Sequence, residues 1–142
     1  MSRGLTSTAA VTIHAPAADV WDALTTPAAI KQYMFGADVM SEWKEGSPIT
    51  WKGEYDGRAY EDKGVVLTLQ PERLLRYSHY SPLSGQPDVP ESYHTITVEL
   101  SEHDASTDVR LSQDNNPTEE ARDHTAQFWQ AMLERLQQLL EQ

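Results

Sequence analysis

The chain has 142 residues, no cysteine, and 22 acidic against 11 basic residues, a net charge of −11. That length accommodates one domain with a real core and is short for two, and the absent thiols exclude disulfides, thiolate catalysis and zinc–thiolate sites. The charge repels phosphate backbones and anionic membranes, and neither an 18-residue apolar run nor a signal-peptide pattern is present, so a soluble cytoplasmic protein that does not bind nucleic acid is expected.

Taken in chain order, Thr6 to His14 is β-leaning, with Val11 and Ile13 alternating against Thr12 and His14 until Pro16 ends it. Ala17 to Leu24 places Val20, Trp21 and Leu24 on one helical face. Thr26-Pro27 stops that helix and opens a second short one through Ile30 and Tyr33. From Gly36 onward, turn chemistry recurs at strand-length intervals: Glu45 to Pro48, Asp56-Gly57, Gln70 to Glu72, the Pro-rich stretch Ser81 to Ser92, and His103 to Ser106. The intervals predict strands at about 37–43, 49–55, 58–69, 74–80, 93–101 and 107–114.

The last stretch, Asn116 to Gln142, predicts one long amphipathic helix. Ala121, Thr125, Phe128, Trp129, Met132, Leu133, Leu136, Leu139 and Leu140 fall within an arc of roughly 140°. Asn116 is the expected cap, with Pro117 in the first turn and Glu119 and Glu120 suited to the positive end of the helix dipole. A helix of that length needs a broad curved surface to lie on. A long antiparallel sheet that twists around it supplies one and leaves room for a pocket between the two. The fold class is therefore α+β, a curved sheet of about seven strands wrapped around a C-terminal helix, with two short helices after the first strand.

Within that frame, Trp51, Phe128, Trp129 and Met132 are large apolar groups suited to core or pocket walls. Alternation puts Tyr77 and His79 on one strand face, either as polar handles in an apolar pocket or, for His79, as a hydrogen-bonded group at a sheet edge. Gln113 shares the apolar parity of Val109 and Leu111, and so either meets a buried partner or faces a cavity, since burying it unpaired costs about 1–3 kcal/mol. Asp56-Gly57 reads as a two-residue hairpin turn, and Glu61, Asp62 and Lys63 as pairing across the sheet surface. His103 falls in a turn and His124 on a polar helix face, and no His spacing fits a metal site. The Ser81 to Ser92 stretch is either a proline-stiffened surface loop or a lid at the cavity mouth, and its serines lack a nucleophile elbow.

The segments AAVTIHAPAADVWDALTTP, YMFGADVMSEWKEGSPITWKGEYDG from Tyr33, YEDKGVVLTLQPERLLRYSHYSPLSG from Tyr60 and QDNNPTEEARDHTAQFW from Gln113 resemble the SRPBCC superfamily, relatives of the START lipid-transfer domains and the birch-pollen allergen. Within it, they are most similar to the branch named for the activator of heat shock protein 90 ATPase, in its single-domain bacterial form. The resemblance implies the helix-grip fold and a cavity for a small apolar or amphipathic molecule. The Asn-rich, Trp-His-Trp motif of the eukaryotic co-chaperones has no counterpart in the sequence. The expected function is non-catalytic ligand binding, with Trp51, Phe128, Trp129 and Met132 as walls and Tyr77, His79 and Gln113 giving orientation, without metal or cofactor. The alternatives are a stress-related co-chaperone that docks on a protein partner near Trp43 and the Ser81 to Ser92 loop, and a cavity enzyme of cyclase, dehydratase or hydrolase type. Edge strands would permit a homodimer as well as a monomer.

Overall fold

A computed structural model describes residues 4–55 and 57–141; the side chain of Tyr55, the Asp56 half of the expected hairpin turn, and Gln142 lie outside the described residues. The chain runs β1 (Leu5–Ile13), α1 (Ala17–Thr25), α2 (Pro27–Tyr33), β2 (Asp38–Ser41), β3 (Pro48–Tyr55), β4 (Arg58–Gln70), β5 (Leu74–His79), β6 (His94–His103), β7 (Ser106–Asn116) and α3 (Glu119–Leu140). The seven strands form one antiparallel sheet in the order β1-β7-β6-β5-β4-β3-β2, so the first strand pairs with the last. It is an α+β helix-grip architecture, as the order of turn signals predicts. Among the described residues no helix is long and apolar enough to cross a membrane.

Strand alternation decides what enters the core. Ile96, Val98 and Leu100 on β6 and Val109 and Leu111 on β7 are buried on one sheet face, against Trp129, Met132, Leu133 and Leu136 of α3. Those four define the narrow stripe the helix buries, at about 33 Å of length for its 22 residues. The expected arc was wider, and Phe128 in fact stays 47% exposed.

The helix start also differs from expectation. Thr118, not Asn116, is the cap, its hydroxyl accepting from the Ala121 N–H at 3.0 Å. Asn116 ends β7, and its buried amide donates to the Leu5 and Gln113 carbonyls and the Ser7 hydroxyl at 2.9 to 3.1 Å. A side chain that satisfies three acceptors around β1 is held there more firmly than one cap bond would hold it. At α1, where Pro16 offers no side-chain cap, Glu102 of β6 accepts from the Ala17 N–H at 2.6 Å.

Two joints hold the grip. Along the outer edge of β1, Gln130 both donates to the Ala10 carbonyl and accepts from the Ala10 N–H, Gln137 donates to the Thr12 carbonyl, and Glu141 accepts from the His14 N–H. These side chains occupy alternate backbone positions, 10, 12 and 14, which are the ones an added strand would take. The edge that was expected to permit a dimer is thus covered at β1, and the four-residue β2 forms the other edge. The second joint is Gly64, where the β5 backbone comes so close that a Cβ on residue 64 would lie 1.7 Å from the Ser78 carbonyl oxygen. The ladder shifts register a little further on, between Val66 and Thr68, and next to Gly64 the Ser78 hydroxyl accepts from the Val65 N–H at 2.9 Å.

Candidate functional site

Strand parity and the helix stripe converge on one place. Trp51 from β3, Tyr77 and His79 from β5, Gln113 from β7, and Phe128, Trp129 and Met132 from α3 all line a cavity of about 840 Å³ between helix and sheet. That size lies within the range of about 300–1,000 Å³ usual for small-molecule sites. A second, apolar space of only about 30 Å³ lies deeper, bounded by Leu24, Ile30, Tyr33 and Leu133, with Trp51, Tyr77, Trp129 and Met132 forming the partition shared with the larger cavity. Trp43, expected at an exposed rim, is half-buried, packs against the core and lines this inner space.

The walls are fixed by contacts among themselves. The Trp129 indole N–H donates to Gln113 Oε1 at 2.7 Å, so the amide on an apolar strand parity has its buried partner and also borders the cavity. Because an indole N–H only donates, this bond assigns the oxygen of Gln113 to Trp129 and turns its NH₂ to the remaining space. The Trp51 ring lies 5.3 Å from Tyr77 and 5.1 Å from His79, the latter edge-on, which orients all three aromatic groups.

His79 is not at a sheet edge, since β5 lies between β4 and β6. Its Nε2 is 2.9 Å from Asp62 Oδ2. Asp62, expected on the sheet surface, is a cavity residue with its side chain only 15% exposed, and its Oδ1 is buried with no hydrogen-bond partner among the described residues. The reason is register. Asp62 is paired directly with Trp51 across the β3–β4 hairpin and so shares its inward face. With Nε2 engaged, His79 has Nδ1 as its remaining ring nitrogen. Tyr60 and Glu54 complete this end of the cavity. Burial, and after it the carboxylates of Asp62 and Asp38, raise the Tyr60 phenol above its usual range, so it remains a neutral donor.

The mouth is apolar. Phe35 and Phe128 stand 54% and 47% exposed with ring centroids 6.1 Å apart, and the Arg135 guanidinium lies 4.6 Å over the Phe35 ring. His124, assigned by pattern to a polar helix face, in fact lines the cavity, as do Ser81, Leu83 and Ser84 of the Pro-rich stretch. That stretch is tied down by Lys63 and the Tyr93 hydroxyl, both bonded to Asp88, and by the Tyr80 hydroxyl donating to the Gln86 carbonyl at 2.6 Å. It borders the mouth. Among the described residues no group of three or more His, Asp or Glu side chains is arranged to hold a metal ion.

Burial raises the Tyr33 and Tyr77 phenols well above the usual value of about 10, and at Tyr33 the neighbouring Tyr77 adds to the effect. The folded chain therefore keeps two protons that the unfolded chain releases. Stability from these groups is fully present below pH 10 and falls as pH rises above it. In alkaline titration followed at 295 nm, these two tyrosines should ionise only as the protein unfolds, and the urea midpoint should drop between pH 9 and pH 11. Smooth ionisation of all six tyrosines with the fold intact would show that these hydroxyls are open to water.

Comparison with known proteins agrees with the architecture. A protein from Cytophaga hutchinsonii whose solution structure is known is 48% identical, superimposes with a TM-score of 0.87, and is matched over 99% of this chain and 97% of its own. The Aha1 dimer from Colwellia psychrerythraea shares the fold at 23% identity and a TM-score of 0.75, with 96% of each chain covered. DynU16, a protein of the dynemicin biosynthetic locus, shares it at 17% identity and 0.79, over 96% of this chain and 47% of that one. No curated protein matches. The family model described as Activator of Hsp90 ATPase homolog 1-like protein matches residues 14–141, and the chain belongs to that family.

Proposed function

We propose that the protein binds a small apolar or amphipathic molecule between α3 and the sheet and does so without catalysing its conversion. The observation that carries this reading is a cavity of about 840 Å³ whose walls are mainly aromatic and aliphatic, with a few converging polar groups at one end. Trp51, Phe128, Trp129 and Met132 are the apolar surfaces. Tyr77, His79 and the NH₂ of Gln113 orient the ligand. Native mass spectrometry of protein purified gently from its own cells, set against the same sample denatured, should reveal a releasable small molecule at near-stoichiometric occupancy. A clean apo mass would count against the reading. Once a ligand is in hand, Tyr77→Phe should weaken its binding by about 1 kcal/mol, the size of one hydrogen bond.

One observation favours a second reading, a co-chaperone or other protein-interaction role. Phe35 and Phe128 project together at the mouth with about half of each ring in solvent. In that case a Phe35→Ser, Phe128→Ser variant would lose partner capture while retaining any cavity ligand.

A further inference from the structure

We infer that the cavity is selective for charge, taking a compact aromatic amine in preference to an aromatic acid of the same shape. This rests on the cavity being the binding site. Its ionisable walls are Glu54 and Asp62 on one side of the balance and His79 and His124 on the other, and among the described residues that line it there is no lysine or arginine. His79 is already engaged with Asp62 at 2.9 Å, so it offers an entering anion no free countercharge.

One oxygen of the same carboxylate lacks a donor. Among the described residues Asp62 Oδ1 is buried without a partner, so part of the carboxylate's desolvation cost is uncompensated, and an ammonium lodged beside Asp62 in the cavity would offset it through its field. Trp51, paired with Asp62 across the hairpin, and Tyr60 place aromatic rings beside it. A cation near these groups meets ring faces as well as the carboxylate, and both attractions strengthen as water leaves. An acid meets the reverse at Asp62. It must approach a chain of net charge −11 and then bury its carboxylate beside Asp62, with the exposed Glu54 at the rim.

The test uses three probes on one ring system: 1-naphthylmethylamine, 1-naphthalenemethanol and 1-naphthaleneacetic acid, titrated calorimetrically into the full chain at pH 7.5 and low salt. The amine should bind about tenfold or more tighter than the acid, with the alcohol between them. Asp62→Asn should remove most of the preference of amine over alcohol. Glu54→Gln, at an exposed position, should reduce the preference less, and it serves as the second variant if Asp62→Asn fails to fold. An acid bound as tightly as the amine overturns the proposal. So does an amine preference that survives both substitutions. Alcohol binding without an amine preference would sink the charge selectivity and leave the cavity reading standing, whereas failure of all three probes to bind would count against both.

Discussion

Replacing Gly64 with alanine should destabilise the protein by about 3 kcal/mol or more, one of the largest effects of any single methyl group in the chain. The added Cβ would stand 1.7 Å from the Ser78 carbonyl oxygen and 2.6 Å from its carbon, which are backbone atoms that no rotamer change can move. Relief requires β4 and β5 to separate. That separation breaks the Lys63–Tyr80 backbone bonds and the Val65–Ser78 bond, and it carries His79 away from Asp62. The substitution should therefore damage the polar end of the cavity together with the fold. Urea denaturation of the two proteins, with the slope compared as well as the midpoint, is the measurement. A wild-type midpoint would mean that the two strands are not held as close as this geometry requires.

Trp129→Ala should cost about 3–5 kcal/mol, from lost burial and from the void left between α3 and the sheet. Trp129→Phe separates the hydrogen bond from most of the volume. It keeps an aromatic ring against Met132 but strands Gln113 Oε1, and an unsatisfied buried acceptor costs about 1–3 kcal/mol. Adding Gln113→Leu to Trp129→Phe should recover part of that loss, because the orphaned acceptor is then gone. A double-mutant cycle measures the coupling directly. Strict additivity of the two substitutions would show that the 2.7 Å bond contributes nothing measurable.

What local pattern could reveal differs from residue to residue. The strands stood out because Gly, Pro and Asp-rich turns punctuate them, and Val109, Leu111 and Gln113 share a face because alternation is a property of any extended chain. The cap of α3 was not legible. Asn116 and Thr118 are both good capping residues flanking one proline, and the choice between them was settled by β1, more than a hundred residues away, whose Leu5 carbonyl and Ser7 hydroxyl claim the Asn116 amide. Asp62 was recoverable in principle. A two-residue hairpin loop at 56 and 57 fixes the pairing of residues whose numbers sum to 113, which sets Trp51 opposite Asp62. Charge made Asp62 look like a surface residue, and register overrode charge. His124 was missed for a related reason, since a polar helix face reads as solvated whether it meets bulk water or the opening of a cavity.

The glutamines and glutamate that α3 lays along β1 have a consequence for traffic. With Gln130, Gln137 and Glu141 fastened to the backbone at positions 10, 12 and 14, and Ser7 bonded to the Arg122 carbonyl, the helix is laced to the sheet margin over most of its length. It cannot swing out like a door without undoing the whole seam at once. For the ligand proposed above, passage is left to the unlaced side, where Phe35, Phe128 and Leu83 line the opening. Its residence time would then be set by ring rotations and small shifts there, and its equilibrium affinity by the deeper walls.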